Sequence, residues 1–365
     1  PAKAGVAELE IDPASRRPIV PPIDDVAFPT PTVTMVGSTA AAPSTQDTGD
    51  ASSQRNRGVE LISVERHTSP AVYFRWLIPG GRALEFGNEG RNRNRFPAGT
   101  MALAAELLVE GTLSHRGDAF SAALERHGAT LDVSAASDAI ILSGRVLSHQ
   151  LRPFLALVAE ALGEPEFDSK LLEIRKQQHR AQLESVGTRP SEVAGRIFNR
   201  VVYGEDHPYG MPTLMADSLM RITRRHLIDA HRAGFAVGGS SLVVVGDIVP
   251  SEVEGALRDI FAKRLDVNGE LTGTVAPAQT EAPACHVFHV PDAVQSVIVQ
   301  GNPGPKRADD AWSQAVVANQ ILGGSASSRL FTVLRERKSL TYGIYSSLDG
   351  RLRAGDWSLS TSVRT

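Results

Sequence analysis

The order of predicted secondary-structure elements occurs twice in this chain, and this repeat restricts the possible folds more than any other sequence feature. The hydrophobic pattern predicts strand, strand, helix, helix, strand and strand, and the same order returns towards the C-terminus. Each copy has a Pro-Gly pair after its second strand, at Pro79-Gly80 and Pro303-Gly304. We therefore predict an α+β fold of two duplicated α/β units, each with a mixed or antiparallel sheet packed by helices.

Composition and the repeat together define the predicted domain boundaries. Residues 1–57 are rich in Pro, Ala and Ser and are predicted to be a linker, as are residues 265–282. Residues 58–264 form the first predicted unit, and residues 283–365 form the second. The first unit continues with helices and a strand after its fourth strand, whereas the second stops there. We therefore expect the second unit to be truncated, by roughly 80 to 100 residues relative to the first.

The composition of the 365-residue chain excludes several classes of protein. Its 38 basic and 41 acidic residues give a net charge of -3, and no basic cluster alternates with aromatic residues, so a nucleic-acid partner is not expected. The single cysteine, Cys285, excludes an internal disulfide framework and a cysteine-rich metal site. No apolar run reaches the roughly 18 residues of a membrane span, and the opening PAKAGVAELE does not resemble a signal peptide.

Common motifs for metal binding and nucleophilic catalysis do not occur in the sequence. A zinc-peptidase helix places two histidines four residues apart on one face, and neither HxxEH nor HxxxH is found. His226 and His231 are five residues apart, so they would lie on different faces of a helix. GGSASS has Ser327 where a G-x-S-x-G elbow needs its last glycine, and no Gly-Lys-Ser/Thr of a phosphate loop follows. Neither a histidine zinc site nor a serine nucleophile is therefore predicted.

The stretch GTMALAAELLVEGT, residues 99–112, resembles the signature helix of the pitrilysin/insulinase family of zinc metallopeptidases. In that family the helix carries HxxEH. When the stretch is aligned with that helix, the positions of the family's two metal-binding histidines are occupied by Ala102 and Glu106. The position of its catalytic glutamate is occupied by Ala105. The third ligand of the family, a glutamate on a later helix, falls in or near LLEIRKQQH, where Glu173 is present but is not assigned. The resemblance implies a half or subunit whose metal-binding face has been lost.

Two further stretches are similar to well-marked runs of the same family, RVVYGEDHPYGMPT (200–213) and LGGSASSRLFTVLRERKSLTYGIYSS (322–347). In the family, an Arg and a Tyr seven residues apart, from the half without the zinc helix, hold the substrate and polarise its scissile carbonyl. Arg335 and Tyr342 match that pattern, so the resemblance implies a catalytic role for them together with a zinc half. A guanidinium and a phenol both donate hydrogen bonds to an oxygen that gains negative charge. The alternative is a surface arginine and a half-buried strand tyrosine.

Other polar residues near these motifs have simpler interpretations. His207, in HPYG, is expected to be part of a structural turn. Tyr345 is interpreted as a strand tyrosine and Arg329 as a solvated or structurally paired arginine of a first helical turn. Glu106 and Glu110 are four residues apart, and like charges on one helical face usually indicate solvent exposure.

The resemblance implies one half of a clamshell endopeptidase that cleaves peptides or unfolded segments in a closed chamber. Zinc is then expected on a homologous partner half that bears HxxEH, either fused or separate, and this chain alone is expected to be inactive and to hold no metal. The alternative function is that of a non-catalytic structural or peptide-binding member of the family. Several bacterial relatives are exported, which favours the bacterial periplasm or cell envelope, although the sequence itself does not define the compartment.

Overall fold

A computed structural model provides the fold of the chain. It describes seven stretches: 29–37, 58–86, 95–187, 189–205, 207–265, 285–290 and 293–364. Most of the first predicted linker and almost all of the second lie outside these stretches. None of the helices in the described stretches is both long enough and apolar enough to cross a membrane.

The first unit is built on a six-stranded sheet with the order β1-β2-β6-β3-β5-β4. Its strands are β1 (Thr32–Val36), β2 (Val59–Glu65), β3 (Ala71–Pro79), β4 (Thr130–Ala135), β5 (Ala139–Leu147) and β6 (Ser240–Gly246). β2 pairs with β6 in parallel, and the other neighbouring strands pair antiparallel. Side chains of β3 alternate between buried and exposed, because successive residues of a strand face opposite sides of the sheet.

Helices cover the buried face of this sheet. They are α1 (Thr100–Leu107), α2 (Asp118–Arg126), α3 (Leu151–Gly163), α4 (Ser169–Val186), α5 (Pro190–Tyr203), α6 (Ala216–Arg221), α7 (Arg224–Gly234) and α8 (Pro250–Phe261). The fully buried Trp76 of β3 is central to the core, because its ring packs edge-on against Phe261 and its indole N–H donates to Ser240 Oγ at 2.6 Å. The predicted helix in residues 101–111 is confirmed, and its apolar positions are buried.

The second unit contains a three-stranded antiparallel sheet with the order β7-β9-β8. Its elements are β7 (Gln295–Gly304), α9 (Trp312–Leu322), α10 (Arg329–Phe331), a π-helical turn (Thr332–Arg337), β8 (Ile344–Gly350) and β9 (Gly355–Arg364). β3, β5 and β4 of the first unit lie in the same order with the same antiparallel pairing. The predicted α+β class is therefore confirmed, and the two sheets share the topology that the sequence repeat predicts.

Two local predictions were wrong. The first predicted linker contains β1, whose residues pair in register with β2 from Thr32 opposite Ser63 to Val36 opposite Val59. The surrounding Pro- and Ser-rich composition gave no indication of the short strand TVTMV, whose ladder hydrogen bonds are made with the distant strand β2. The repeated order of elements also requires a strand before β7, in the run CHVFHV, but residues 285–290 have no ladder partner in the described part of the chain. Their apolar residues are exposed, so the alternating pattern alone did not produce a strand there.

The N-terminus of α1 is fixed by a buried carboxylate. Glu85 is 2% exposed and accepts hydrogen bonds from the backbone N–H groups of Gly99 at 3.1 Å and Met101 at 2.7 Å. These donors would otherwise lack partners at the start of the helix. Burial raises the pKa of Glu85 to about 7, although the two backbone hydrogen bonds and Arg82 lower it. The helix that corresponds to the zinc helix of the family is thus held by a group that titrates near neutral pH.

Glu85→Gln is expected to remove a pH-dependent part of the stability. The folded-state pKa of about 7 lies above the usual glutamate value of 4.5, so protonation favours the folded state. This contribution is fully present below pH 4.5 and is lost as the pH rises through 7. We expect the wild-type free energy of unfolding to fall by about 1–3 kcal/mol over that window, relative to Glu85→Gln. Urea unfolding of both proteins at pH 5 and pH 8 checks this, and parallel pH profiles would contradict it.

Candidate functional site

The positions that correspond to the zinc motif lie on α1, and an ion-pair network lies beside them. Ala105 is fully buried and Ala102 half-buried, and neither side chain has a donor atom for a metal. Glu106 Oε2 lies 2.7 Å from His179 Nε2, and Glu106 Oε1 lies 3.3 Å from Arg175 Nε. His179 and Arg175 are four residues apart on α4, so both face α1. The carboxylate of Glu106 is therefore bound by two groups from a neighbouring helix.

Glu110, in the turn after α1, also contacts this network. Its Oε1 accepts a hydrogen bond from the Arg175 guanidinium, so one arginine joins Glu106 and Glu110. Both glutamates are 32% exposed and Arg175 is 28% exposed. The interpretation of the two glutamates as a solvent-exposed like-charge pair was therefore wrong. The Arg175 guanidinium on α4 contacts both carboxylates and offsets their repulsion, and such pairing between helices cannot be deduced from spacing within one helix.

The residues at the zinc-motif positions do not fit a zinc ion. Zinc needs three or four N, O or S donors in a compact shell, and alanine provides none. The remaining carboxylate, that of Glu106, already lies against a guanidinium whose positive charge would oppose a second cation there. Across the described stretches, no group of three or more His, Cys, Asp or Glu side chains is placed to hold a metal.

Glu173, near the third-ligand position of the family, also has a cationic neighbour. Its Oε1 accepts a hydrogen bond from Lys176 Nζ at 2.9 Å, and the Glu173 side chain is 59% exposed. Lys176 is almost fully buried and also donates to the carbonyl oxygen of Ile222 at 3.0 Å. Glu173 therefore has a structural partner on α4, which agrees with leaving it unassigned as a ligand.

Arg335 lies in the π-helical turn of the second unit and stacks on an aromatic ring. Its guanidinium carbon is 4.8 Å from the centre of the Phe331 ring, a distance typical of a cation–π contact. Phe331 is buried and its ring packs against that of Tyr345 at 5.6 Å. Arg335 Nε is 3.7 Å from Glu336 Oε1, and the side chain is 45% exposed. The ring supports the guanidinium from one side and leaves its donors accessible.

Tyr342 projects from the connection between this turn and β8, and it is 81% exposed. The prediction of a half-buried strand tyrosine therefore fails for Tyr342, which precedes β8, whereas Tyr345 does lie in the strand. Within the described stretches, neither a hydrogen bond nor a stacking contact joins Arg335 to Tyr342. Arg335 therefore lies in the π-helical turn and Tyr342 on the connection that follows it, and both side chains are exposed to solvent.

The sequence motif HPYG belongs to an aromatic and charged cluster that joins the two units. The phenol of Tyr203, at the end of α5, donates to Asp356 Oδ2 of β9 at 2.6 Å. The Arg351 guanidinium lies 5.1 Å from the Tyr203 ring and 4.8 Å from the Tyr209 ring. The His207 ring stacks on Tyr203 and is buried, which is consistent with a structural turn.

The electrostatics of this cluster follow from its burial. Burial, together with the hydrogen bond to Asp356, raises the pKa of the Tyr203 phenol. Burial also raises the pKa of Asp356, while the Tyr203 hydrogen bond and the Arg351 charge lower it. Arg351 and Asp356 were not identified from the sequence, because they lie in a polar hairpin far from HPYG along the chain. The pairing of their charges with two tyrosines appears only in the folded protein.

Comparison with protein families is consistent with this architecture. The model described as Insulinase (Peptidase family M16) matches residues 91–216, and the model described as Peptidase M16 inactive domain matches residues 221–365. The first match includes α1 and its ion pairs, and the second includes Arg335, Tyr342 and the β8–β9 hairpin. The two matches together include the whole of the second unit and most of the first, whose strands β2 and β3 precede residue 91.

Similar proteins are found in several bacteria. An uncharacterized zinc protease of Mycobacterium leprae is 27% identical over 277 residues, which cover 72% of this chain and 59% of that protein. An uncharacterized zinc protease of Streptomyces coelicolor is 25% identical over 289 residues, which cover 75% and 61% respectively. The chain therefore spans about three fifths of the length of these relatives.

Solved structures show the same fold. The crystal structure of a peptidase M16 inactive domain from Pseudomonas fluorescens has a TM-score of 0.77 and 24% identity, covering 91% of this chain and 74% of that chain. A protease from Helicobacter pylori has a TM-score of 0.70 and 16% identity, covering 92% and 76%. The fold and the family matches define a domain of the metallopeptidase type, and the sequence of this chain contains no HxxEH. The chain belongs to the pitrilysin/insulinase family, peptidase family M16.

Proposed function

We propose that this chain is the metal-free half of a zinc-dependent endopeptidase that cleaves peptides or unfolded segments in a closed chamber. A homologous half with an intact HxxEH motif would hold the zinc, either as a separate subunit or as a fused segment. Support comes from the match to the inactive-domain model and from relatives that are named zinc proteases. The alanines and the paired Glu106 on α1 further support placing the metal outside this chain.

The accessibility of Arg335 and Tyr342 is the observation on which this proposal depends most. The phenol of Tyr342 has no hydrogen-bond partner among the described residues, and the Arg335 guanidinium has one long contact, to Glu336 at 3.7 Å. Both groups can therefore donate hydrogen bonds to a peptide. A carbonyl oxygen gains negative charge when water attacks its carbon, and donors placed around it lower the barrier. Exclusion of water from a closed chamber strengthens this attraction.

The two halves must contribute different parts of the reaction. In this proposal, Arg335 and Tyr342 bind and orient the peptide and stabilise the developing charge on its carbonyl oxygen. The partner half supplies the metal, which activates the attacking water when it is bound. This division predicts that neither half alone cleaves a peptide.

Cleavage of an unstructured fluorogenic peptide tests the proposal. The protein is isolated from its source through an affinity tag on this chain, and the recombinant chain alone is the matched control. We expect cleavage by the native preparation only, loss of cleavage with a chelator, and recovery with zinc. A native preparation that contains a homologous HxxEH polypeptide but cleaves nothing would contradict the proposal and favour a structural or peptide-binding role.

A further inference from the structure

The connection that presents Tyr342 is longer than its counterpart in the first unit. In the first unit, α2 ends at Arg126 and β4 begins at Thr130. In the second unit, the π-helical turn ends at Arg337 and β8 does not begin until Ile344. The additional residues form a projection whose two large hydrophobic side chains are exposed, Leu340 at 58% and Tyr342 at 81%.

An exposed side chain on a projecting connection needs local support to keep one direction. Ser339 begins the projection with a φ of 50°, in the left-handed region that only a few non-glycine residues adopt. Its backbone N–H donates to the carbonyl oxygen of Arg335 at 3.1 Å, which ties the start of the projection to the helix. The support on the other side comes from Thr341, which lies between Leu340 and Tyr342.

The hydroxyl group of Thr341 joins the projection to β9. It lies 2.7 Å from the carbonyl oxygen of Ser362, to which it donates. It accepts hydrogen bonds from the backbone N–H of Gly343 at 3.2 Å and from the hydroxyl of Thr361 at 2.9 Å. A threonine hydroxyl has one donor and two acceptor sites, so all of its hydrogen-bonding capacity is used.

These contacts fix the backbone on both sides of Tyr342. Gly343 follows Tyr342 directly, and its carbonyl oxygen lies 2.9 Å from the Thr361 hydroxyl, whose single proton is shared between this carbonyl and Thr341. The carbonyl oxygen of Ser362 belongs to β9, which pairs along its length with both β7 and β8. The backbone from which the exposed phenol projects is therefore held by a strand in the middle of the second sheet.

We propose that Thr341 is a positioning residue for Tyr342, holding the phenol in the direction in which it meets a substrate carbonyl. This inference rests on the proposed function, because it concerns the same substrate-contacting group. Groups that stabilise a transition state must be held close to their productive geometry before the substrate arrives. Thr341 provides this restraint from a side chain that does not itself reach the substrate.

Two substitutions in the natively assembled protease, Thr341→Val and Thr341→Ser, distinguish the contribution of the hydroxyl group to activity from that of the side-chain shape. Valine keeps the branched shape and loses the three hydrogen bonds, whereas serine keeps the hydroxyl. We expect Thr341→Val to lower kcat about 10- to 100-fold with little change in KM, and Thr341→Ser to retain most of the activity. The substrate is the unstructured fluorogenic peptide, and assembly is verified by gel filtration. If the valine variant does not assemble, Thr341→Ala replaces it.

A double substitution distinguishes positioning from general stabilisation. In a Tyr342→Ala background, Thr341→Val should cause no further loss of kcat, because the group that it positions is absent. Additive losses of kcat would overturn the positioning role of Thr341. So would a wild-type kcat for Thr341→Val if Tyr342→Ala is impaired. Either result would leave the proposed contact of Tyr342 with substrate intact. Full activity of Tyr342→Ala would overturn the proposed contact of Tyr342 with substrate and the role of Thr341 with it.

Discussion

Arg335→Ala in the assembled protease is expected to lower kcat about 10²- to 10³-fold, the loss typical of removing one preorganised donor to a developing oxyanion. The Arg335 guanidinium lies on the buried Phe331 ring at 4.8 Å, so its direction is fixed before the substrate binds. Steady-state cleavage of the fluorogenic peptide by purified complexes measures the effect. The complex itself should remain assembled, because the Arg335 side chain is 45% exposed and contacts only its own helical turn among the described residues.

Two variants are matched controls for this experiment. Arg329→Ala removes an exposed guanidinium from the first turn of the same helical segment and is expected to leave kcat within about twofold of the wild type. Arg335→Lys keeps the positive charge but loses the planar set of donors, so an intermediate activity is expected. Equal activities of Arg335→Ala and Arg329→Ala would refute the role of Arg335 in catalysis.

The repeated α+β unit could be predicted from the sequence because its evidence is local. Hydrophobic periodicity and turn residues act over a few positions, and both recur in each unit. The same holds for α1, whose apolar positions are buried as its pattern indicates. The resemblance of the stretch 322–347 to a known family then directed attention to Arg335 and Tyr342, which the structure places in the π-helical turn and on the exposed connection after it.

Contacts between distant segments could not be predicted in this way. The spacing of Glu106 and Glu110 suggested a solvated face, and their partner Arg175 lies on another helix. Tyr203 and Asp356 are 153 residues apart in sequence, and no local pattern relates them. Both cases involve buried or half-buried charges whose partners are chosen by the packing of elements. Periodicity identifies which face of an element is apolar but does not identify which polar groups meet across two elements.

Arg351→Ala is expected to weaken the junction between the two units, with a loss of about 2–4 kcal/mol in the free energy of unfolding. The Arg351 side chain is 22% exposed, lies between the Tyr203 and Tyr209 rings and bonds Asp349 at 2.6 Å. Arg351 Nη2 is 3.8 Å from Oδ2 of Asp356, a residue that is only 4% exposed. Removing the guanidinium leaves that carboxylate buried with the Tyr203 phenol as its remaining described partner.

The substitution should also change the cooperativity of unfolding. The cluster joins α5 to the β8–β9 hairpin. Without it, the second unit should unfold at a lower temperature than the first. Calorimetry should then show two unfolding transitions instead of one. Arg307→Ala is the matched control, because Arg307 stacks on Trp312 at 5.0 Å within the second unit alone. It should cost no more than about 1 kcal/mol and should preserve a single transition. A single transition for Arg351→Ala, with a loss as small as that of the control, would mean that other contacts between the units, such as those of α5 with β7, hold them together.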